Sequence, residues 1–412
     1  FSSVSQVNEI NKIPGVSAIL ISNTYGIVYM PFNKLEEVRR NVKKLTFDEV
    51  ESLLTLSETS PLQASEAISY QNGKLLDLRG KGVIIGIMDT GIDYLNKEFQ
   101  NEDGTTRIIS IWDQTLENIE PVVGLNIGRE FNSNEINDAI RANNEGKDPY
   151  EVVASRDYNG HGTMVASVAA AKGYNKEVRG IVPDSYIAVV KLRPEGKDRL
   201  EVSGVTKENV LAFSEVSIIS AMVYFVNVTS REKKPIVIVI PLETNGGAHD
   251  GTSLICQVID RYVDVLGSVI VTGVGNEGNK ETHKEGRIEQ AKDTDVIEIR
   301  VGNNQNSLAF FIWVKKPSVM AIEISSPTGE RISKIPIKVG EERNIRFVFE
   351  KTLMSVKYIL SNEENGCQAI LIRAIGLKPG IWKFTLHGEF IVDGEYSSWL
   401  PQSKLYVKVQ IF

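Results

Sequence analysis

Four apolar runs constrain this chain more than any other feature: Val83-Ile84-Ile85-Gly86-Ile87-Met88, Tyr186-Ile187-Ala188-Val189-Val190, Pro235-Ile236-Val237-Ile238-Val239-Ile240 and Ser268-Val269-Ile270-Val271-Thr272. None alternates polar with apolar residues, so each has to be buried on both faces, as the strands of a parallel sheet are. Helix-period stretches at about 162–171, 216–227 and 252–266 separate them. That alternation predicts an α/β layer fold, a parallel sheet with helices on both faces. Side chains at the carboxyl ends of such strands are where sites form.

With 412 residues the chain exceeds what one hydrophobic core usually supports, so two or three units are expected. Residues 14–56 read as a small α+β unit: alternating Val16 to Ile21, a turn at Asn23 to Gly26, Ile27-Val28-Tyr29, a helix with Leu35, Val38, Val42 and Leu45 on one face, and a closing strand at 50–56. The polar, Pro-broken stretch Ser57 to Gln63 is the linker candidate, giving a first domain of residues 1–63. Residues 64–288 form the α/β unit, with 109–158 read as an ordered surface insertion. Residues 289–412 lose the helical signal and show short alternating segments at 296–301, 321–324, 345–349 and 381–386, the pattern of a β-sandwich.

Composition narrows the function classes. A net charge of -7 without a long basic run speaks against nucleic acid as a partner, and no apolar run approaches the ~18 residues of a membrane helix, so a soluble protein with no membrane span is expected. Cys256 and Cys367 are too few for a disulfide framework or a CxxC metal site, and neither metal nor cofactor is expected. The chain opens on Phe1 without a charged leader and apolar stretch, which reads as a trimmed N-terminus.

Three glycine-flanked motifs stand at or near strand ends. Asp89, in Met88-Asp89-Thr90-Gly91, follows the first apolar run; alone it reads equally as a cap or turn former. His161, in Asn159-Gly160-His161-Gly162-Thr163, sits at a helix start with close backbone approach possible on both sides. His249, His283 and His387 lie in polar contexts and are expected to be solvated. Asn276, in Gly275-Asn276-Glu277-Gly278, is placed either to form a turn or to aim an amide at a developing oxyanion.

In this order the three motifs, over roughly residues 75–280, resemble the subtilisin-like serine proteases. The resemblance implies that Asp89 orients the imidazole, His161 is general base and then general acid, and Asn276 is the oxyanion donor. The attacking residue would be a serine. Gly251-Thr252-Ser253 has the family's nucleophile pattern but precedes Asn276 and continues Leu254-Ile255-Cys256, so Ser253 is read as a helix cap.

Residues 1–63 stand where the family carries its propeptide, whose tail lies in the substrate cleft. A β-sandwich following the asparagine is similar to the jelly-roll insertion of the clostridial Csp germination proteases. That likeness implies a nucleophilic serine outside residues 1–412, location in the spore, the zymogen of a cortex-lytic enzyme as substrate, and other germination proteins as partners. Pro241-Leu242-Glu243 stands where the family presents Ser-Leu-Gly, the edge that binds the peptide substrate. Glu243 is expected to alter or block peptide binding, which keeps open an alternative, a catalytically inactive pseudoprotease that retains its propeptide and regulates germination by binding.

Overall fold

In the computed structural model, which describes residues 4–21, 25–42, 53–56, 68–71, 78–117, 120–175, 178–205, 207–360, 362 and 365–412, the four apolar runs become strands of one six-stranded sheet. From one edge the order is Ser268–Thr272, Ile236–Ile240, Ile84–Asp89, Tyr186–Lys191, Ile108–Asp113 and Arg129–Asn132. Neighbours run parallel except the last pair. Ile84–Asp89 is buried at every position. Its side chains alternate between faces: Ile84 and Met88 meet helix Glu215–Glu232 through Met222 and Phe225, while Ile85 and Ile87 meet Val165 and Ala166 of helix His161–Ala170. Each such buried aliphatic side chain contributes roughly 1.5–3 kcal/mol of transfer free energy. Gly86 leaves room for the covering helix, since a Cβ there would come within 3.1 Å of the Phe225 ring.

Two readings of this unit need correction. Residues 109–158 are not a surface insertion throughout, because Ile108–Asp113 is an internal strand with Ile111, Trp112 and Asp113 fully buried. Its apolar run is shorter than the others and ends in polar residues, which hid it. Helix Ser133–Asn144 follows, started by a capping box between Asn132 and Glu135. Ser268–Thr272, expected to be buried on both faces, is instead an edge strand with Val269 53% and Val271 48% exposed.

The N-terminal residues form a helix, Val4–Ile10, a hairpin, Ser17–Leu20 with Gly26–Tyr29, and a second helix, Leu35–Asn41, around Ile10, Val16, Ala18, Val38 and Val42. Leu45 and the linker candidate 57–63 lie outside the described residues. Strand Leu53–Leu56 does not close this unit. It runs antiparallel between Leu242–Glu243 on one side and Phe213–Ser214 on the other, where those two short strands offer it backbone partners.

The C-terminal residues form two antiparallel sheets, one of six strands and one of five, packed on a core that includes Ile297, Ile312, Ile322, Val356, Ile370 and Phe384. Strand His283–Arg287 pairs with Glu395–Trp399 inside the six-stranded sheet. The polar alternation of that segment is that of an edge strand. No described helix is long and apolar enough to cross a membrane.

Candidate active site

Asp89 ends an internal strand of the sheet, and His161 opens a helix whose first turn packs against the strand's carboxyl end. The imidazole Nδ1 stands 2.8 Å and 2.9 Å from the two carboxylate oxygens of Asp89. The Asp89 side chain is fully buried and that of His161 is 9% exposed. A histidine that donates from Nδ1 to a carboxylate is held in one tautomer with Nε2 directed away from it, the arrangement a general base requires. The backbone N–H of Thr90 also donates to Asp89 Oδ1, at 2.6 Å.

Gly160 precedes the helix with φ +85°, a conformation that favours glycine. Gly162 is needed for a different reason. A Cβ there would be driven into the carbonyl oxygen of Gly91 and to 3.1 Å from the Asp89 Cβ, so only a glycine lets the helix approach the aspartate closely.

One residue that the sequence reading missed ties these parts together. Asp157 Oδ1 accepts from Thr90 Oγ1 at 2.8 Å, Gly160 N at 2.8 Å and Asn159 N at 3.2 Å. Its Oδ2 accepts from Thr163 N at 2.9 Å and Thr163 Oγ1 at 2.7 Å. Burial pushes the Asp157 carboxyl up, but the hydrogen bonds from Thr163, Gly160 and Thr90 outweigh it and hold its pKa below the ordinary value. The signal was present in the sequence as an Asp four residues before the histidine with Thr two after it, an arrangement suited to capping.

Asn276 is solvent-exposed in its glycine-rich loop, and its backbone N–H donates to Glu243 Oε2 at 2.6 Å. Glu243 is buried. Its Oε1 lies 3.3 Å from Lys404 Nζ and 3.4 Å from Thr55 Oγ1. Its carboxylate therefore turns toward the asparagine loop, while its backbone pairs with that of Thr55 and the backbone of Leu242 with that of Leu56. Gly275 packs against that carboxylate, with 2.8 Å between Glu243 Oε2 and the position a Cβ would take. Pro241 is buried and precedes the paired residues.

Two smaller expectations bear on the surroundings of the site. Ser253 occupies the cap position of helix Leu254–Val263 but makes no side-chain capping bond; Asp250 satisfies that turn by accepting from Thr252 N at 3.0 Å. His249 and His283 are exposed, as expected, and both stack on Trp399 with ring centroids 4.0 Å and 4.7 Å away.

Comparison with known proteins bears on this geometry. The sequence model of the subtilase family matches residues 80–312. The solved structure of the Clostridium perfringens CspB protease is similar with a TM-score of 0.70 and 26% identity, covering 85% of this chain and 68% of that one. No curated protein matches the sequence.

Proposed function

The chain belongs to the subtilase family of subtilisin-type serine endopeptidases, and from that premise we propose that it is a Csp-type germination protease acting at a site built from Asp89, His161 and Asn276. The observation that carries this reading is the imidazole of His161 locked on the buried Asp89 at 2.8 Å. In the proposed reaction a serine from outside residues 1–412 attacks the peptide carbonyl while His161 takes its proton. The imidazolium so formed is stabilised by Asp89 and then protonates the leaving amine. Asn276 donates to the oxyanion of the tetrahedral intermediate, a contribution of about 2.7–4 kcal/mol in sites of this kind.

Residues 1–63 act as the propeptide and Pro241-Leu242-Glu243 as the peptide-binding edge. The strand Leu53–Leu56, hydrogen-bonded on both sides, supports this because a substrate in extended conformation would make the same backbone contacts. The β-sandwich serves as the jelly-roll insertion, the spore as the location and a cortex-lytic zymogen as the substrate, in line with the similarity to the CspB protease. The intact acid–base pair weighs against a purely non-catalytic role.

A fluorophosphonate probe with intact mass measurement on the complete protein tests the proposal. Labelling that is lost in His161→Ala, together with release of about residues 1–63, is the expected result. A complete protein that takes no label would overturn it.

A further inference from the structure

Leu53 and Leu54, adjacent on strand Leu53–Leu56, which under the proposal fills the peptide channel along the edge Leu242–Glu243, face different surroundings, as successive strand residues must. Leu54 joins the core of the α/β unit with Phe213 and Leu242. Leu53 packs instead with Val205, Ala212 and Leu405, the last of which comes from the β-sandwich. The same sandwich segment brings Gln402, whose buried amide Nε2 donates to the carbonyl of Leu53 at 3.3 Å and also to the carbonyl of Glu243. One side chain thus bridges the channel strand and its receiving edge.

This segment is held in place from several directions. Asn245 Nδ2 donates to Leu400 O at 3.1 Å, Ser403 N and Oγ donate to the Glu277 carboxylate at 3.0 Å and 2.9 Å, and Lys404 pairs with Glu243 at 3.3 Å. A cavity of about 70 Å³ remains beside Leu53, bordered by Phe311, Trp313, Trp399 and Leu405.

We propose that Gln402 and Leu405 are specificity-determining residues that complete the peptide channel from the β-sandwich side. Resting on the channel reading above, this deepens it by naming the substrate class. The channel takes an extended peptide with a large apolar residue two positions before the one paired with Glu243. Gln402 reads the backbone carbonyl there whatever the side chain. Leu405 and its neighbours select the side chain, because a charged group would be buried without a partner, and the remaining cavity admits an aromatic ring as well as leucine.

Hydrogen exchange of the backbone amides of residues 53–56 in the full chain tests this. The unaltered chain is expected to protect them. Gln402→Ala, Leu405→Ala and Leu53→Lys should each speed their exchange about 10- to 30-fold while leaving strands Ile84–Asp89 and Gly380–Phe390 unchanged, and Leu53→Phe should retain protection.

If the unaltered strand is protected but Gln402→Ala and Leu53→Lys leave it equally protected, the subsite is overturned while the channel reading stands. Rapid exchange of 53–56 in the unaltered chain would overturn the channel reading and the subsite together. Should Leu405→Ala disturb the sandwich itself, Leu53→Lys decides, since that residue lies outside the sandwich core.

Discussion

The wall of the cleft that carries Asp89 and His161 is assembled from residues 89 to 163, whereas the wall that holds Leu53–Leu56 draws on residues near 213, 243, 276 and 402. On the first wall the partners are backbone groups and short side chains, and Asp157 alone gathers five donors. The second wall joins backbone pairing to contacts from long side chains that reach across the sequence, such as Glu243 to Asn276 and Gln402 to Leu53. Dense local bonding presets the geometry of the His161–Asp89 pair, as the proposed proton transfer requires. Under the proposal, dispersed contacts give a surface whose side chains can change one residue at a time without disturbing His161 and Asp89.

If that contrast holds, damage to the first wall should be large and damage to the second graded. The strongest test is Asp89→Asn, which leaves the shape intact but loses control of the imidazole tautomer. Peptide hydrolysis by the complete enzyme should fall about 10⁴-fold in kcat. A fall of only tenfold would mean that the His161–Asp89 contact does not govern the reaction.

Next comes the pair Gly162→Ala and Gly278→Ala, one from each wall. The first forces a Cβ against the Gly91 carbonyl, while the second meets nothing within 4 Å. Denaturant unfolding should show a loss of about 3 kcal/mol for Gly162→Ala and less than about 0.5 kcal/mol for Gly278→Ala. Equal losses would erase the distinction between the walls.

Asp157→Asn should cost about 1–3 kcal/mol, because some of the five donors would face an amide in place of a carboxylate oxygen. The sign of its pH dependence follows from the depressed folded pKa. The Asp157 carboxylate stabilises the fold fully above the unfolded value of about 3.9, and that contribution is lost as pH falls through the folded value. Acid unfolding curves of the two proteins should therefore converge at low pH.

On the second wall, Glu243→Gln keeps an oxygen for the Asn276 N–H but loses the charge and the Lys404 pair. Peptide hydrolysis should drop about tenfold, near 1.4 kcal/mol. A loss as large as that of Asp89→Asn would assign Glu243 to the chemistry itself. The smallest effect is expected far from both walls. Hydrogen bonds from Arg79, and then from Lys172, hold the Asp184 carboxyl at about 2 against an ordinary value of 3.8. Asp184→Asn should therefore remove only a slight stabilisation, present above pH 4 and fading toward pH 2, visible as a shift in the acid midpoint.

Much of the first wall could be read from the chain. Asp89 follows an apolar run, and the glycines around His161 mark a helix start under close approach, so the two motifs carry their geometry within a few residues. The acid–base pair then needs only the parallel sheet that the apolar runs already dictate. Asp157 escaped notice because an aspartate in a polar loop looks like any other turn former. The internal strand Ile108–Asp113 escaped because its burial depends on neighbours at 129–132 and 186–191.

Glu243 was read from its residue type alone. Nothing in that type says that its carboxylate turns toward the backbone N–H of Asn276, 33 residues further along the chain. Gln402 and Leu405 had no signal at all, since nothing in a polar segment near the end of a β-sandwich says that it reaches residue 53.

The sequence by itself determined the α/β sheet, the β-sandwich and the acid–base motifs, because hydrophobic period and glycine placement act over a few neighbouring residues. Which strand lies between Leu242–Glu243 and Phe213–Ser214, where the Glu243 carboxylate turns and what Gln402 and Leu405 touch were decided by tertiary structure alone. Those outcomes depend on which distant groups meet, and a buried backbone carbonyl or carboxylate takes whatever donor the folded chain brings within reach.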